Sequence, residues 1–254
     1  MTQQRLKRAN GVIIPIFSIP SPYGIGTFGK AAYDVVDFIS DASIKYWQIL
    51  PLGQTSYGDS PYQSFSSFAG NPYFIDLDFL IEDGLLDKDE LENLNFGDND
   101  RYVDYAIQYN LRYRILKKAF ENSKGKLDRN IDDFRKKEAP WIEDYALFMA
   151  IKRDNLDINW IEWDEKLRDR DPKALDDFRQ NHKDDIDFYV FIQYEFFRQW
   201  KNLKEYANRR NIEIIGDLPI YVAFDSCDAW VNSEILAMDK ITKEPLIVGG
   251  APPD

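Results

Sequence analysis

The sequence predicts an α/β fold built around a parallel sheet, and three observations carry that reading. Val12–Phe17, Tyr46–Leu52 and Ile212–Ile220 are apolar runs rich in β-branched and aromatic residues, as strands covered on both faces are. Residues 31–39, between the first two runs, carry helical spacing, with Tyr33, Val36 and Ile39 on one face. From about Asp78 to Arg210 the character is helical, and strand character returns only after it.

The first run is broken by Pro15 and followed by a long loop through Pro20 and Pro22 into the helix. The second run leads straight into a turn-rich segment, Tyr57–Tyr73, which holds three tyrosines and two phenylalanines. Asp87-Lys88-Asp89-Glu90 has the form of a capped helix start, and Trp141–Ala150 is amphipathic. Asp185–Tyr206 is the longest helix expected. Its stripe of Ile186, Val190, Phe197, Trp200 and Leu203 reads as core, and Arg198 and Gln199 take no assigned role. After the third strand, Ile235–Met238 and Leu246–Val248 form a hairpin about Asp239–Glu244. A (β/α)8 barrel alternates strands and helices over roughly 250 residues. Here three barrel-type strands are separated, between the second and third, by roughly 160 residues, far beyond an ordinary connection. The expected fold is therefore an incomplete TIM (β/α)8 barrel with a large inserted helical subdomain. The expected divisions are 1–77 for the first strands and the aromatic loop, 78–210 for the helical insertion, and 211–254 for the third strand and hairpin.

With 254 residues and 44% hydrophobic content, the chain is long enough for a substantial core. A net charge of −12, with basic residues interleaved among acids, argues against nucleic acid as a partner. No run approaches the roughly 20 apolar residues of a membrane span and no signal core follows the N-terminus, so the expected compartment is the cytoplasm. The single cysteine, Cys227, excludes an internal disulfide and reads as an inert buried thiol. With one histidine, His182, in a charged run, a Ser-His-Asp triad or histidine zinc site has almost no material. No cofactor is expected, and any chemistry falls to carboxylates and tyrosines.

Gly24-Ile25-Gly26-Thr27-Phe28-Gly29 satisfies the G-x-G-x-x-G pattern of dinucleotide sites. In such sites the first glycine follows the strand almost at once, whereas Ser18–Tyr23 intervene here. The next strand ends in Pro51-Leu52-Gly53 and offers no acid for a ribose hydroxyl. The glycines read instead as a closely packed turn.

The aromatic loop has a different chemistry. Rings held on a polar loop stack on the C–H face of a sugar, and Ser60, Gln63 and Asn71 could bond its hydroxyls. A surface loop pinned by buried aromatics has the same composition. The loop resembles a signature of the 4-alpha-glucanotransferases, or amylomaltases. So, in the same order, do Pro22–Gly29, Tyr46–Gly53, Phe196–Trp200 and Gly216–Ala223 with Asp225-Ser226.

That resemblance implies a soluble member of the alpha-amylase-like clan. It would transfer α-1,4-glucan segments between maltooligosaccharides by a retaining mechanism through a covalent glycosyl-enzyme, with a glucan hydroxyl replacing water as acceptor. It implies that Ser60 and Tyr62 lie near the scissile bond with Asp217 as a sugar-hydroxyl ligand. It also implies that Tyr57, and less directly Tyr105, belong to a second glucan site. The nucleophilic Asp, the acid/base Glu and the stabilising Asp would lie on later strands, and the Arg-x-Asp-His arrangement that would hold the nucleophile is absent. The resemblance therefore places no catalytic residue within this chain, which is expected to be inactive alone, as an excised fragment or the product of an incomplete gene. The acceptor-side lid would begin near Asp254. Two rival readings are a glucan-binding fragment without catalysis and an α-glucan hydrolase of the same clan. Unpaired sheet edges in so short a barrel predict association or aggregation.

Overall fold

The computed structural model describes residues 8–56, 58–99 and 101–249. Its sheet has three strands, β1 (Gly11–Ile13), β2 (Tyr46–Gln48) and β3 (Glu213–Ile215), in the order β1-β2-β3 with both pairs parallel. Each strand is shorter than its apolar run. The first gives way at Pro15 to a 3-10 turn, Ile16–Ser18, and after Ile215 the chain leaves the sheet, so Ile220 is exposed. The register aligns Val12, Trp47 and Ile214 on one face and Ile13, Gln48 and Ile215 on the other. Trp47 is fully buried, and its indole N–H donates to the Ile14 carbonyl at 2.9 Å.

Helix α1 (Lys30–Asp41) joins β1 to β2 and buries Ala32, Val36 and Ile39 at helical spacing. Ser43 takes a left-handed conformation (φ +57°) just beyond it, which lets Ile44 N–H reach the Ile39 carbonyl and close the helix end. Between β2 and β3 the chain forms α2 (Leu77–Glu82), α3 (Lys88–Glu92), α4 (Tyr105–Ser123), α5 (Asp128–Lys137), α6 (Ala139–Asp154), α7 (Glu165–Arg168), α8 (Pro172–Asn181) and α9 (Lys183–Arg209). A short α10 (Cys227–Val231) follows β3. Aspartates at 76, 87, 164 and 171 cap α2, α3, α7 and α8 by accepting backbone N–H groups, the Asp87 cap matching the sequence signal. Helix α6 has no clean stripe, since Ile142 and every residue from Tyr145 to Lys152 are buried. On α9, Ile186, Val190 and Leu203 are core as expected, while Phe197 and Trp200 are half-buried and Phe196 is buried in their place.

The chain divides into two units. The first comprises residues 1–52, 73–115 and 196–218 and holds the sheet, α1, α2 and α3. Its core includes Phe28, whose ring meets Phe74, Phe196 and Trp200 at 5.1–5.9 Å. The second comprises residues 53–72, 116–195 and 219–254. Its aromatic centre is Phe148, Trp163 and Trp230, with ring centres 5.3–5.8 Å apart. In the expected hairpin the structure forms a single bridge, Met238 to Pro245, with Asp239 N–H on the Glu244 carbonyl. Among the described residues no helix is long and apolar enough to cross a membrane.

Candidate functional site

The glycine run belongs to the first unit and packs against protein atoms. A methyl group on Gly24 (φ +71°) would fall 2.0 Å from the Phe96 carbonyl oxygen, and one on Gly26 1.8 Å from that of Ile16. One on Gly29 would fall 1.9 Å from a carboxylate oxygen of Asp76, so an acid of the chain itself fills the space beside the start of α1 where a dinucleotide phosphate would go. Asp76 accepts a hydrogen bond from the Thr27 hydroxyl at 2.5 Å and caps α2. Burial raises its carboxyl above the usual range. Gln199 fixes the same residue from α9: its amide oxygen accepts Asp76 N–H at 2.7 Å and its amide N–H donates to the Asp76 carbonyl at 3.2 Å. Nearby, the Tyr23 hydroxyl donates to Asp78 at 2.6 Å. Fully buried Arg112 lies against the rings of Tyr23 and Phe96, and burial lowers its guanidinium to about 10.

The aromatic loop lies in the second unit. Antiparallel bridges at Gly53–Gly70 and Thr55–Ser64 make it a narrow pinched ribbon with Ser60 and Tyr62 near its tip. Tyr62 N–H points at the Ser60 oxygen at 3.3 Å, and Gln63 N–H bonds the Ser60 carbonyl, so the two candidate residues are held by one turn. The Tyr62 side chain is 46% exposed. Gly58, in a left-handed conformation with open space around it, supplies the bend. Buried Gln193 holds the base of the ribbon, accepting Gly70 N–H at 2.8 Å and donating to the Gly70 carbonyl at 2.9 Å. The hydroxyl of fully buried Tyr145 adds a bond to Gln54 at 2.8 Å. Asn71, expected as a hydroxyl ligand, is buried, and Phe65 is half-buried rather than displayed.

A lysine holds the rest. Lys152 of α6 is 2% exposed, and its ammonium donates to Asp225 at 2.6 Å and to the carbonyls of Asp157 and Ile158 at 3.1 and 3.0 Å. The ammonium lies 5.1 Å from the centre of the Phe65 ring. Cys227 N–H bonds the Phe65 carbonyl at 2.8 Å and Ser67 N–H bonds Asp228 at 2.7 Å, tying the ribbon to the first turn of α10. The Cys227 thiol is buried and pushed up by desolvation, as an inert thiol is. The sequence had assigned nothing to Lys152, Gln193 or Gln199. Their only signal was a polar side chain inside an apolar helical run.

Asp217 belongs to the first unit, half-exposed and two residues beyond the carboxyl end of β3, where parallel α/β folds place functional groups. Tyr105 opens α4 in that unit, with its ring 6.4 Å from that of Tyr73. Tyr57 lies outside the described residues. The structure thus brings Ser60 and Tyr62 together on one turn, with Asp217 and Tyr105 in the other unit. Among the described residues no cluster of His, Cys, Asp and Glu is arranged to hold a metal ion.

A family model described as 4-alpha-glucanotransferase matches residues 14–254. The chain belongs to the 4-alpha-glucanotransferase family. It is 53% identical over 239 residues to the 4-alpha-glucanotransferase of Clostridium butyricum, a match covering 94% of this chain and 49% of that protein. It is 44% identical over 253 residues to the one from Thermus thermophilus, covering 98% and 49%. The solved amylomaltase from Streptococcus agalactiae in complex with acarbose superposes with a TM-score of 0.94 at 44% identity, covering 98% of this chain and 50% of that one. The chain spans about half the length of the relatives it matches. Membership explains why the five sequence blocks occur in one order.

Proposed function

We propose that this chain is the donor-side, sugar-binding part of a 4-alpha-glucanotransferase that moves α-1,4-glucan segments between maltooligosaccharides by retaining double displacement. The observation that carries the reading is Tyr62, an aromatic ring displayed to solvent on a turn whose backbone is fixed from beneath. An exposed aromatic costs little to stack on a pyranose, and a fixed turn loses little entropy when it does so. Ser60 would bond a hydroxyl beside that ring, and the Asp217 carboxylate would accept one at the reacting sugar. Tyr105 with Tyr57 would serve a second glucan site. The solved acarbose complex of a 44%-identical amylomaltase supports a glucan-like ligand. The parallel order β1-β2-β3 and the long helical connection support the finer reading of the sheet as the first part of a (β/α)8 barrel with a helical insertion.

Retaining transfer needs a carboxylate nucleophile and a carboxylic acid roughly 5–5.5 Å apart. In this proposal both come from the half of the relatives that the chain does not match. Titration calorimetry with maltoheptaose tests the reading: Tyr62→Ala should weaken binding about ten-fold, the loss of one stacked ring, and unchanged affinity would overturn the site. Pure 254-residue protein should not disproportionate maltotriose, and glucose released together with longer glucans would overturn the division of labour.

A further inference from the structure

We propose that Tyr145 and Gln193 are positioning residues for the sugar-binding turn, acting through Gln54 and Gly70 on the two limbs of the aromatic ribbon; the proposal rests on the reading of Ser60 and Tyr62 as glucan contacts. All six residues belong to the second unit. Tyr145 stands on α6 and Gln193 on α9, and neither has any exposed surface. Their surroundings are apolar: Ala146, Leu147 and Phe148 follow Tyr145, and Val190, Phe191 and Ile192 precede Gln193, all buried. A polar group in such a wall costs stability unless it is bonded, and apolar side chains of the same shape would hold the wall together about as well. What the polar pair adds is direction.

Each of its polar protons has one use. The Gln193 amide oxygen accepts Gly70 N–H at 2.8 Å, and its amide nitrogen donates to the Gly70 carbonyl at 2.9 Å and to the Tyr145 hydroxyl oxygen at 3.4 Å. The Tyr145 hydroxyl donates in turn to Gln54 Oε1 at 2.8 Å. Burial raises that phenol well above its ordinary value, so it remains a donor. An amide that bonds both the N–H and the carbonyl of one residue grips it as the paired residue of an antiparallel strand does. Gly70 and Gln54 lie on opposite limbs: Gly70 bridges Gly53, and Gln54 sits between that bridge and the one from Thr55 to Ser64. Beyond them Ser56 N–H bonds the Gln63 carbonyl at 3.1 Å, and Gln63 N–H closes on the Ser60 carbonyl at 3.2 Å. Hydrogen bonds and short lengths of backbone thus lead from α9 and α6 to the turn that carries Tyr62. A turn already held in its binding geometry loses less entropy when a sugar stacks on it.

The test is calorimetric titration of the 254-residue chain with maltoheptaose, with thermal midpoints measured alongside. Tyr145→Phe, which keeps the ring, should weaken binding about three- to ten-fold, the equilibrium effect of about one net hydrogen bond, with a more unfavourable binding entropy. Gln54→Leu should act in the same direction by removing the acceptor, and it replaces Tyr145→Phe if that variant fails to fold. Added to Tyr62→Ala, Tyr145→Phe should cost less than about two-fold more, because the pair acts through the turn. Leu175→Ala, in the core of α8 and outside this network, should lower the midpoint and leave affinity unchanged. If Tyr62→Ala weakens binding while Tyr145→Phe and Gln54→Leu do not, the proposal is overturned and the sugar site stands. An equal loss in Leu175→Ala, or full additivity with Tyr62→Ala, would also overturn it. Affinity unchanged in Tyr62→Ala would overturn the sugar site and the proposal together.

Discussion

Replacing Lys152 by methionine isolates the node that holds the aromatic ribbon. Methionine keeps most of the buried stem, so little cavity forms and the loss is electrostatic. The ammonium donates to Asp225 and to two backbone carbonyls. Breaking a buried ion pair from one side costs about 3–5 kcal/mol, and each buried acceptor left unbonded about 1–3 kcal/mol. Those figures overstate this case, because the Asp225 side chain is 31% exposed and Asp157 and Ile158 lie at the surface, so water can replace part of what is lost. The discounted cost is about 2–3 kcal/mol, which lowers the thermal midpoint of a chain this size by about 4–12 °C. Thermal and urea unfolding followed by circular dichroism measure it. In a double-mutant cycle with Asp225→Asn, the pair should be less destabilised than the sum of the singles by about 1 kcal/mol or more, since the second change removes the stranded charge. A midpoint within about 2 °C of the unaltered chain, or strict additivity, would refute the argument.

Gly26→Ala should destabilise the first unit by about 2 kcal/mol or more in urea unfolding, because its methyl would collide with the Ile16 and Ile19 carbonyls and the backbone must move. Asp187 gives a pH dependence. Burial pushes its carboxyl up, but hydrogen bonds from Lys183 and Arg135 outweigh that and hold it below the ordinary carboxylate value. Its stabilising contribution is therefore complete above that ordinary value and is lost as the pH falls through it toward the lowered one. Asp187→Asn should cost about 1 kcal/mol at pH 7 and flatten the acid limb of stability against pH, an unchanged limb contradicting the assignment. Asp76 has the opposite sign. Its raised carboxyl means that stability falls as the pH rises from the ordinary carboxylate value through the raised one, and in Asp76→Asn that decline should disappear from the same curve.

The parts of the fold legible in the sequence were those set by local periodicity. Helix α1, the length of α9 and the Asp87 cap follow from spacing and side-chain chemistry within a few residues. The strand ends were not legible. An apolar run says that residues are buried, not that they pair: Pro15 marks where the first run turns away from its partner, and the third leaves the sheet after Ile215 although its apolar character continues. Trp141–Ala150 read as amphipathic because its few polar residues suggested a wet face, while Tyr145–Lys152 is buried on every side. At the candidate site, the turn that Ser60 and Tyr62 share was readable because turn chemistry is local. Asn71 was misjudged for the same reason: an asparagine in a turn looks wet, and burial is settled by distant segments. Lys152, Gln193 and Gln199 were invisible because each has a partner far away in the chain, Asp225, Gly70 and Asp76, at separations of 73 to 123 residues.

The middle strand of the sheet meets one neighbour early and the other very late. Residues 49–212 separate β2 from β3. At about 5–20 residues per second, a ribosome needs on the order of ten to thirty seconds to make that stretch. Throughout that interval β2 has β1 to pair with on one side and no strand on the other, while the helices of the connection are being synthesised one after another. Sheet completion in the nascent chain therefore waits on elongation rather than on the microsecond chemistry of strand pairing, and the half-finished edge is where a chaperone would find its longest opportunity.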